Sequence, residues 1–234
     1  MAEPVKWEGE ERPVHVQAGL VTLEGNLSLP KGARGIVLFA HGSGSSRQSP
    51  RNRQVARLLN EAKLATLLVD LLTPAEEAID RQTAHLRFDI GLLAERLLGA
   101  TDWLAQHPDT RALRIGYFGA STGAAAALVA AASRPSLVGA VVSRGGRPDL
   151  AGPALARVRA PTLLIVGGND FPVIEMNRAA LAQLRCEKRL VIVPGATHLF
   201  EEPGALLEVA RLAREWFDRH LISAAAQTTK AGTP

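Results

Sequence analysis

Short apolar runs alternate along this chain with stretches whose apolar residues recur at helical spacing. That pattern predicts a mostly parallel sheet covered by helices on both faces. The beginning of the chain departs from it. Residues 15–18 and 21–29 alternate apolar and polar positions and are joined tightly around Gly19, as in an antiparallel hairpin. Continuous apolar runs then follow at 35–42, 65–72, 114–121, 138–144, 161–168 and 190–195. Unbroken runs of this length are what strands buried on both faces show, and with the hairpin they predict an eight-stranded sheet.

The helices announce themselves by their ends and their stripes. Ser49-Pro50 reads as an N-cap followed by a first helical residue, with Val55, Leu58, Leu59 and Ala62 on one face. A long helix is predicted over 89–106, where Ile90, Leu93, Leu97, Leu98, Thr101 and Leu104 share a side. A last helix carries Leu206, Val209, Ala210, Ala213, Trp216 and Phe217. No repeat or composition break divides the chain. The expected organisation is an N-terminal extension over 1–13, one domain over 14–222, and a small, polar, disordered tail over 223–234.

Composition narrows the function classes. A net charge of +4, without a lysine-rich run or an aromatic-studded basic strip, gives no nucleic-acid signature. The first residues lack a basic start followed by an apolar run, and no apolar stretch approaches membrane-spanning length. A cytoplasmic protein that binds no membrane is therefore expected. Cys186 is the single cysteine, which excludes an internal disulfide and a cysteine-built metal site. No metal-ligand cluster or dinucleotide fingerprint appears, so neither metal nor cofactor is expected.

Ligands of parallel sheets bind outside the carboxyl ends of the strands. The chemistry-bearing residues at those predicted ends are His41, Ser121, Arg144, Asp170 and His198. Gly119-Ala120-Ser121-Thr122-Gly123 is a G-x-S-x-G motif. Three fixed residues alone recur in about one chain in ten of this composition, so the motif needs its setting. Here a strand precedes it and an alanine-rich helix follows, which is the setting of a nucleophile elbow.

Serine attacks only when a base takes its proton, and histidine suits that task near neutral pH. His198 follows the last strand and is the best-placed base. A carboxylate must then hold the imidazole in the right tautomer. Asp170 directly follows the strand 161–168, and Asp149 is its rival. Asp170 could also serve as an N-cap, since Pro172 suits a first helical turn. His41-Gly42-Ser43-Gly44 lies where a second oxyanion donor belongs, so the backbone N–H groups of Ser43 and Thr122 are the candidate oxyanion hole. Arg47, Arg51 and Arg53 flank that loop, and Arg144 and Arg147 lie at another strand end. Either these arginines pair with carboxylates or they bind an acidic substrate, and Arg144 is the best candidate for substrate binding.

With these motifs, the chain resembles the α/β-hydrolase superfamily over about 15–221, and within it the dienelactone hydrolase-like group. The order Ser121, Asp170, His198 matches the order of that superfamily's triad. The resemblance implies an α/β-hydrolase fold whose second strand is antiparallel. It also implies hydrolysis of a small-molecule carboxylic ester or lactone. Dienelactone hydrolases proper carry a cysteine nucleophile, and this chain carries Ser121. Only the short stretch 145–160 separates two strands between which many members insert a helical cap, so no large cap domain is expected. Two other function classes remain open. The same residues would serve acyl transfer to an acceptor other than water, and a hydrolase scaffold can serve as a non-catalytic binding protein.

Overall fold

The computed structural model describes residues 11–222. Alternation at the start of the chain folds as expected into a hairpin. Strands β1 (Glu11–Ala18) and β2 (Val21–Ser28) pair antiparallel, with Ala18 opposite Val21. Gly19 sits in the turn at φ +62, a conformation glycine takes without a Cβ penalty. β1 starts earlier than the alternation indicates and takes in 11–13, so that part of the expected N-terminal extension is strand. The rest of that extension and the expected tail lie outside the described residues.

β2 turns its other edge to β4 (Ala65–Val69), again antiparallel. From β4 onward the sheet is parallel, through β3 (Ile36–Ala40), β5 (Ile115–Ala120), β6 (Val138–Arg144), β7 (Thr162–Gly167) and β8 (Lys188–Val193). The spatial order is β1-β2-β4-β3-β5-β6-β7-β8.

Each central strand feeds two cores. Ile36, Leu38 and Tyr117 pack on the face covered by α3 (Ile90–Gln106) and α4 (Thr122–Ser133). Val37, Phe39 and Phe118 pack on the opposite face, under α1 (Pro50–Glu61) and α6 (Ala205–Leu221). Both faces exclude water, which is why β3 and β5 read as unbroken apolar runs rather than as alternation. The helix α5 (Phe171–Gln183) covers the β7–β8 end.

The segment between β4 and α3 folds into a helix that apolar spacing did not reveal, α2 (Pro74–Thr83), followed by a 3-10 turn, Leu86–Phe88. A capping box starts α2: Glu76 N–H donates to Thr73 Oγ1, and Thr73 N–H donates to Glu76 Oε2. Arg96 of α3 pairs with Glu76 at 2.6 Å and ties the segment down. Between β6 and β7 the chain makes only 3-10 turns over Pro148–Arg157. Neither segment is a large cap. Among the described residues, no helix is long and apolar enough to cross a membrane.

Candidate active site

Six strand ends open on one edge, and the edge is built around Ser121. β5 delivers the chain to it and α4 carries the chain away. Ser121 itself stands at φ 49, ψ −122, a left-handed conformation that costs a non-glycine residue about 1–3 kcal/mol. Such strain persists only where the surroundings enforce it, and here they do. A Cβ on Gly119 would lie 2.4 Å from the Ala124 Cα, and one on Gly123 would lie 2.2 Å from the Ala40 carbonyl oxygen. Both motif glycines are thus demanded by close backbone approach. Arg147 N–H donates to the Ser121 carbonyl at 3.0 Å, and Ser121 N–H donates to the Arg144 carbonyl at 3.4 Å, fastening the turn to the end of β6.

Asp170 follows β7 and His198 follows β8, and their loops are clamped together. Gly168 N–H donates to the Val193 carbonyl, Asn169 N–H to the Ala196 carbonyl, and the Asn169 side chain to the Gly195 carbonyl. The clamp leaves His198 Nδ1 2.7 Å from Asp170 Oδ2, so Nδ1–H donates and Nε2 is the free lone pair. Asp170 occupies the N-cap position of α5, yet its side chain makes no capping bond there. Asp149 is committed elsewhere, to a forked pair with Arg147 at 2.8–3.2 Å. Ser121 and His198 line one cavity of about 280 Å³, together with Ser43 and Arg144.

Two supports of this site are not legible as motifs. Glu202 accepts from Thr197 N–H and Thr197 Oγ1, bracing the loop that carries His198, and these bonds hold its carboxyl below the usual carboxylate range. Gly145, at φ +50, leaves room for His198, since a Cβ there would lie 3.0 Å from the His198 carbonyl.

The candidate oxyanion donors are Ser43, in the loop after β3, and Thr122, the first residue of α4. Neither Ser43 N–H nor Thr122 N–H donates to a protein acceptor among the described residues. Gly42 brings its loop against Ser121, because a Cβ there would lie 2.9 Å from the Ser121 Cβ. His41 pins the loop from beneath. Leu71 N–H donates to His41 Nε2 at 3.0 Å, and His41 Nδ1–H donates to the Gly42 carbonyl at 2.9 Å. That bonding needs the neutral ring, and burial lowers the His41 pKa below 6.5.

A base whose folded-state pKa is depressed keeps its full contribution above the unfolded value and loses it as pH falls below that value. Wild-type stability should therefore decline below about pH 6.5, and His41→Gln should flatten that decline while slowing turnover. Urea unfolding at pH 7.5 and pH 5 tests this. Parallel losses in both proteins would remove His41 from the account.

The arginines divide cleanly. Arg47 bonds Asp70 and Glu24, Arg51 bonds Glu201 at 2.9 Å, Arg53 bonds Glu11 at 3.0 Å, and Arg147 bonds Asp149. Asp70, expected inside a strand, lies just past β4 and serves as the counter-ion of Arg47. Among the described residues, Arg144 alone of the five has no carboxylate partner.

Comparison with known proteins gives the family and the fold. The model of the dienelactone hydrolase family matches residues 24–222. The crystal structure of a dienelactone hydrolase from Anabaena variabilis ATCC 29413 is 68% identical, covers 92% of this chain and 99% of its own, and superposes with a TM-score of 0.90. Est1E from Butyrivibrio proteoclasticus, 18% identical, shares the fold with a TM-score of 0.72 over 88% of this chain and 98% of its own. Two Mycobacterium tuberculosis proteins, from strains CDC 1551 / Oshkosh and ATCC 25618 / H37Rv, are each 60% identical over 211 residues. They carry the provisional name of phosphoribosyl transferase. The match takes in 90% of this chain and 47% of theirs, so the chain spans about half the length of these curated relatives.

Proposed function

The chain belongs to the dienelactone hydrolase family and has the α/β-hydrolase fold, and from that premise we propose that it hydrolyses small carboxylic esters or lactones through an acyl-enzyme on Ser121. The observation that carries the proposal is the His198–Asp170 hydrogen bond of 2.7 Å beside a cavity that His198 shares with a strained Ser121.

Ser121 Oγ attacks the carbonyl carbon while His198 Nε2 takes its proton. Asp170 stabilises the imidazolium that forms. The former carbonyl oxygen becomes an oxyanion and turns to the N–H groups of Ser43 and Thr122, at the positive end of α4. Loss of one such donor costs about 10² to 10³ in rate. The bond to the leaving oxygen then breaks, and that oxygen takes the proton from His198. Water attacks the acyl-enzyme with His198 again as base, releasing the acid and restoring Ser121. A hydroxyl nucleophile depends on this base more than a thiol would, since a thiol is partly ionised at neutral pH.

The phosphoribosyl transferase name describes proteins about twice as long, and it is not needed for the chemistry of this half. A fluorophosphonate probe should label the protein once, with the adduct located by mass spectrometry on Ser121, and should abolish turnover of a short-chain aryl ester. An adduct on another residue, or full turnover after complete labelling, would sink the mechanism.

A further inference from the structure

The helix α5 begins one residue after Asp170, and its buried residues are Val173, Ile174, Asn177 and Ala180. Asn177 is the polar member of that stripe, and it is fully buried. Its Nδ2 donates twice, to the Val173 carbonyl at 2.8 Å within the helix and to the Gly146 carbonyl at 3.0 Å outside it. Two carbonyl acceptors fix which way the amide points. Its Oδ1 then has no partner among the described residues. A buried polar atom without a partner costs stability, and an apolar side chain here would avoid that cost. Packing therefore does not account for asparagine at this position. What the asparagine supplies is the bond to Gly146.

Gly146 is the middle of a three-residue loop that meets both the candidate nucleophile and the candidate base. Gly145 lies against the base, since a Cβ there would lie 3.5 Å from His198 Nδ1. Arg147 N–H donates to the Ser121 carbonyl at 3.0 Å. Gly146 itself is pressed on the first turn of α4, where a Cβ would lie 2.6 Å from the Ala124 Cβ. Asn177 ties this loop to the helix that starts beside Asp170. The end of β5, which leads to Ser121, and the ends of β7 and β8, which lead to Asp170 and His198, are thereby held in one register.

We propose that Asn177 is a positioning residue: by holding the Gly146 carbonyl it fixes the 145–147 loop, and through that loop it keeps Ser121 and His198 at reacting distance. This rests on the ester-hydrolase reading of Ser121. Without the Nδ2 donor the Gly146 carbonyl is left unpaired, and the loop shifts toward another donor. Arg147 N–H moves with the loop and loosens its grip on Ser121, whose strained conformation persists only while its surroundings enforce it. A displacement of about 1 Å between reacting groups costs about 10² in rate. The substrate's own contacts stay in place, so the loss falls on kcat and not on KM.

The test is Asn177→Leu, which keeps the approximate volume and removes the donor. Its kcat on a short-chain aryl ester should fall by about 10- to 100-fold, with KM within about twofold of wild type. Fluorophosphonate labelling of Ser121 should slow by a similar factor. Hydrogen exchange at the Gly145 and Arg147 amides should quicken. Ala180→Gly is the control. It weakens the same helix and leaves the Gly146 bond in place, so its melting midpoint should drop while its kcat stays near wild type.

Where Asn177→Leu does not fold, Asn177→Ala, which empties space rather than filling it, gives the same comparison. Three results would overturn the positioning role and leave the hydrolase standing. One is an Asn177 variant that melts earlier yet keeps wild-type kcat well below its midpoint. Another is a loss that falls on KM alone. The third is an equal loss of kcat in Ala180→Gly, which would tie the loss to stability. Wild-type protein that neither turns over esters nor takes the label would overturn the hydrolase reading, and the positioning role with it.

Discussion

Ser121→Ala is expected to remove nearly all ester turnover, by a factor of about 10⁶ in kcat where triad members act as a unit, and to leave a folded protein. His198→Ala should lose as much, since a hydroxyl without its base is a poor nucleophile. The folding half of the expectation comes from the geometry of the turn. Ser121 stands at the N-cap of α4, but its side chain makes no capping bond. Alanine keeps the Cβ and therefore the same left-handed cost. Nothing that holds the elbow is removed, because the clamps are the backbone bonds to Arg144 and Arg147 and the close packing at Gly119 and Gly123. The thermal midpoint should move by less than about 2 °C. Initial rates on an aryl ester, with thermal unfolding followed on the same samples, test both halves. A folded Ser121→Ala protein retaining a tenth of wild-type turnover would end the acyl-enzyme reading.

What could be read in the chain beforehand follows from how strongly each feature is written. β3 to β7 are legible because burial on both faces leaves few polar residues in the runs, Thr66, Ser143, Arg144 and Thr162. The elbow is legible because backbone approach permits only glycine at 119 and 123. Ser49-Pro50 marks the start of α1 because capping is local, and Asn52 N–H does donate to Ser49 Oγ.

The helix α2 escaped because it is held by its Thr73–Glu76 box and by Arg96 rather than by an apolar stripe. Of its residues only Asp80 is buried, and that is an ion-pair partner of Arg87. The fate of the arginines was equally hidden. Arg144 and Arg147 are close in sequence and chemically identical, yet one is buried without a counter-ion among the described residues and the other is about a third exposed on Asp149. Pairing of that kind depends on where distant chain segments end, as with Arg51 and Glu201, and no local pattern records it. The bracing of Thr197 by Glu202 is local, but an acidic residue after a turn is too common to stand out.

Asp170→Asn should cost about 10⁴ in kcat while Asp149→Asn stays close to wild type. His198 Nδ1–H donates to Asp170 Oδ2, which leaves Nε2 free to take the Ser121 proton. An asparagine amide in the same place donates to Nδ1 instead and moves the ring proton to Nε2, so the base arrives already protonated. Shape and packing are preserved, and the loss falls on turnover. Asp149 holds Arg147 at the surface, with both side chains about a third exposed, and pairs of that kind contribute about 0–1 kcal/mol. Breaking one should change activity little. The competing role for Asp170 is to cap α5, but its side chain makes no capping bond, and asparagine caps as well as aspartate does. Asp170→Asn should therefore melt near the wild-type midpoint. Kinetics of the two variants on one ester, with circular dichroism melts of each, separate the cases. A greater loss in Asp149→Asn would transfer the acid to that residue, whereas an Asp170→Asn protein that unfolds would make Asp170 a structural cap.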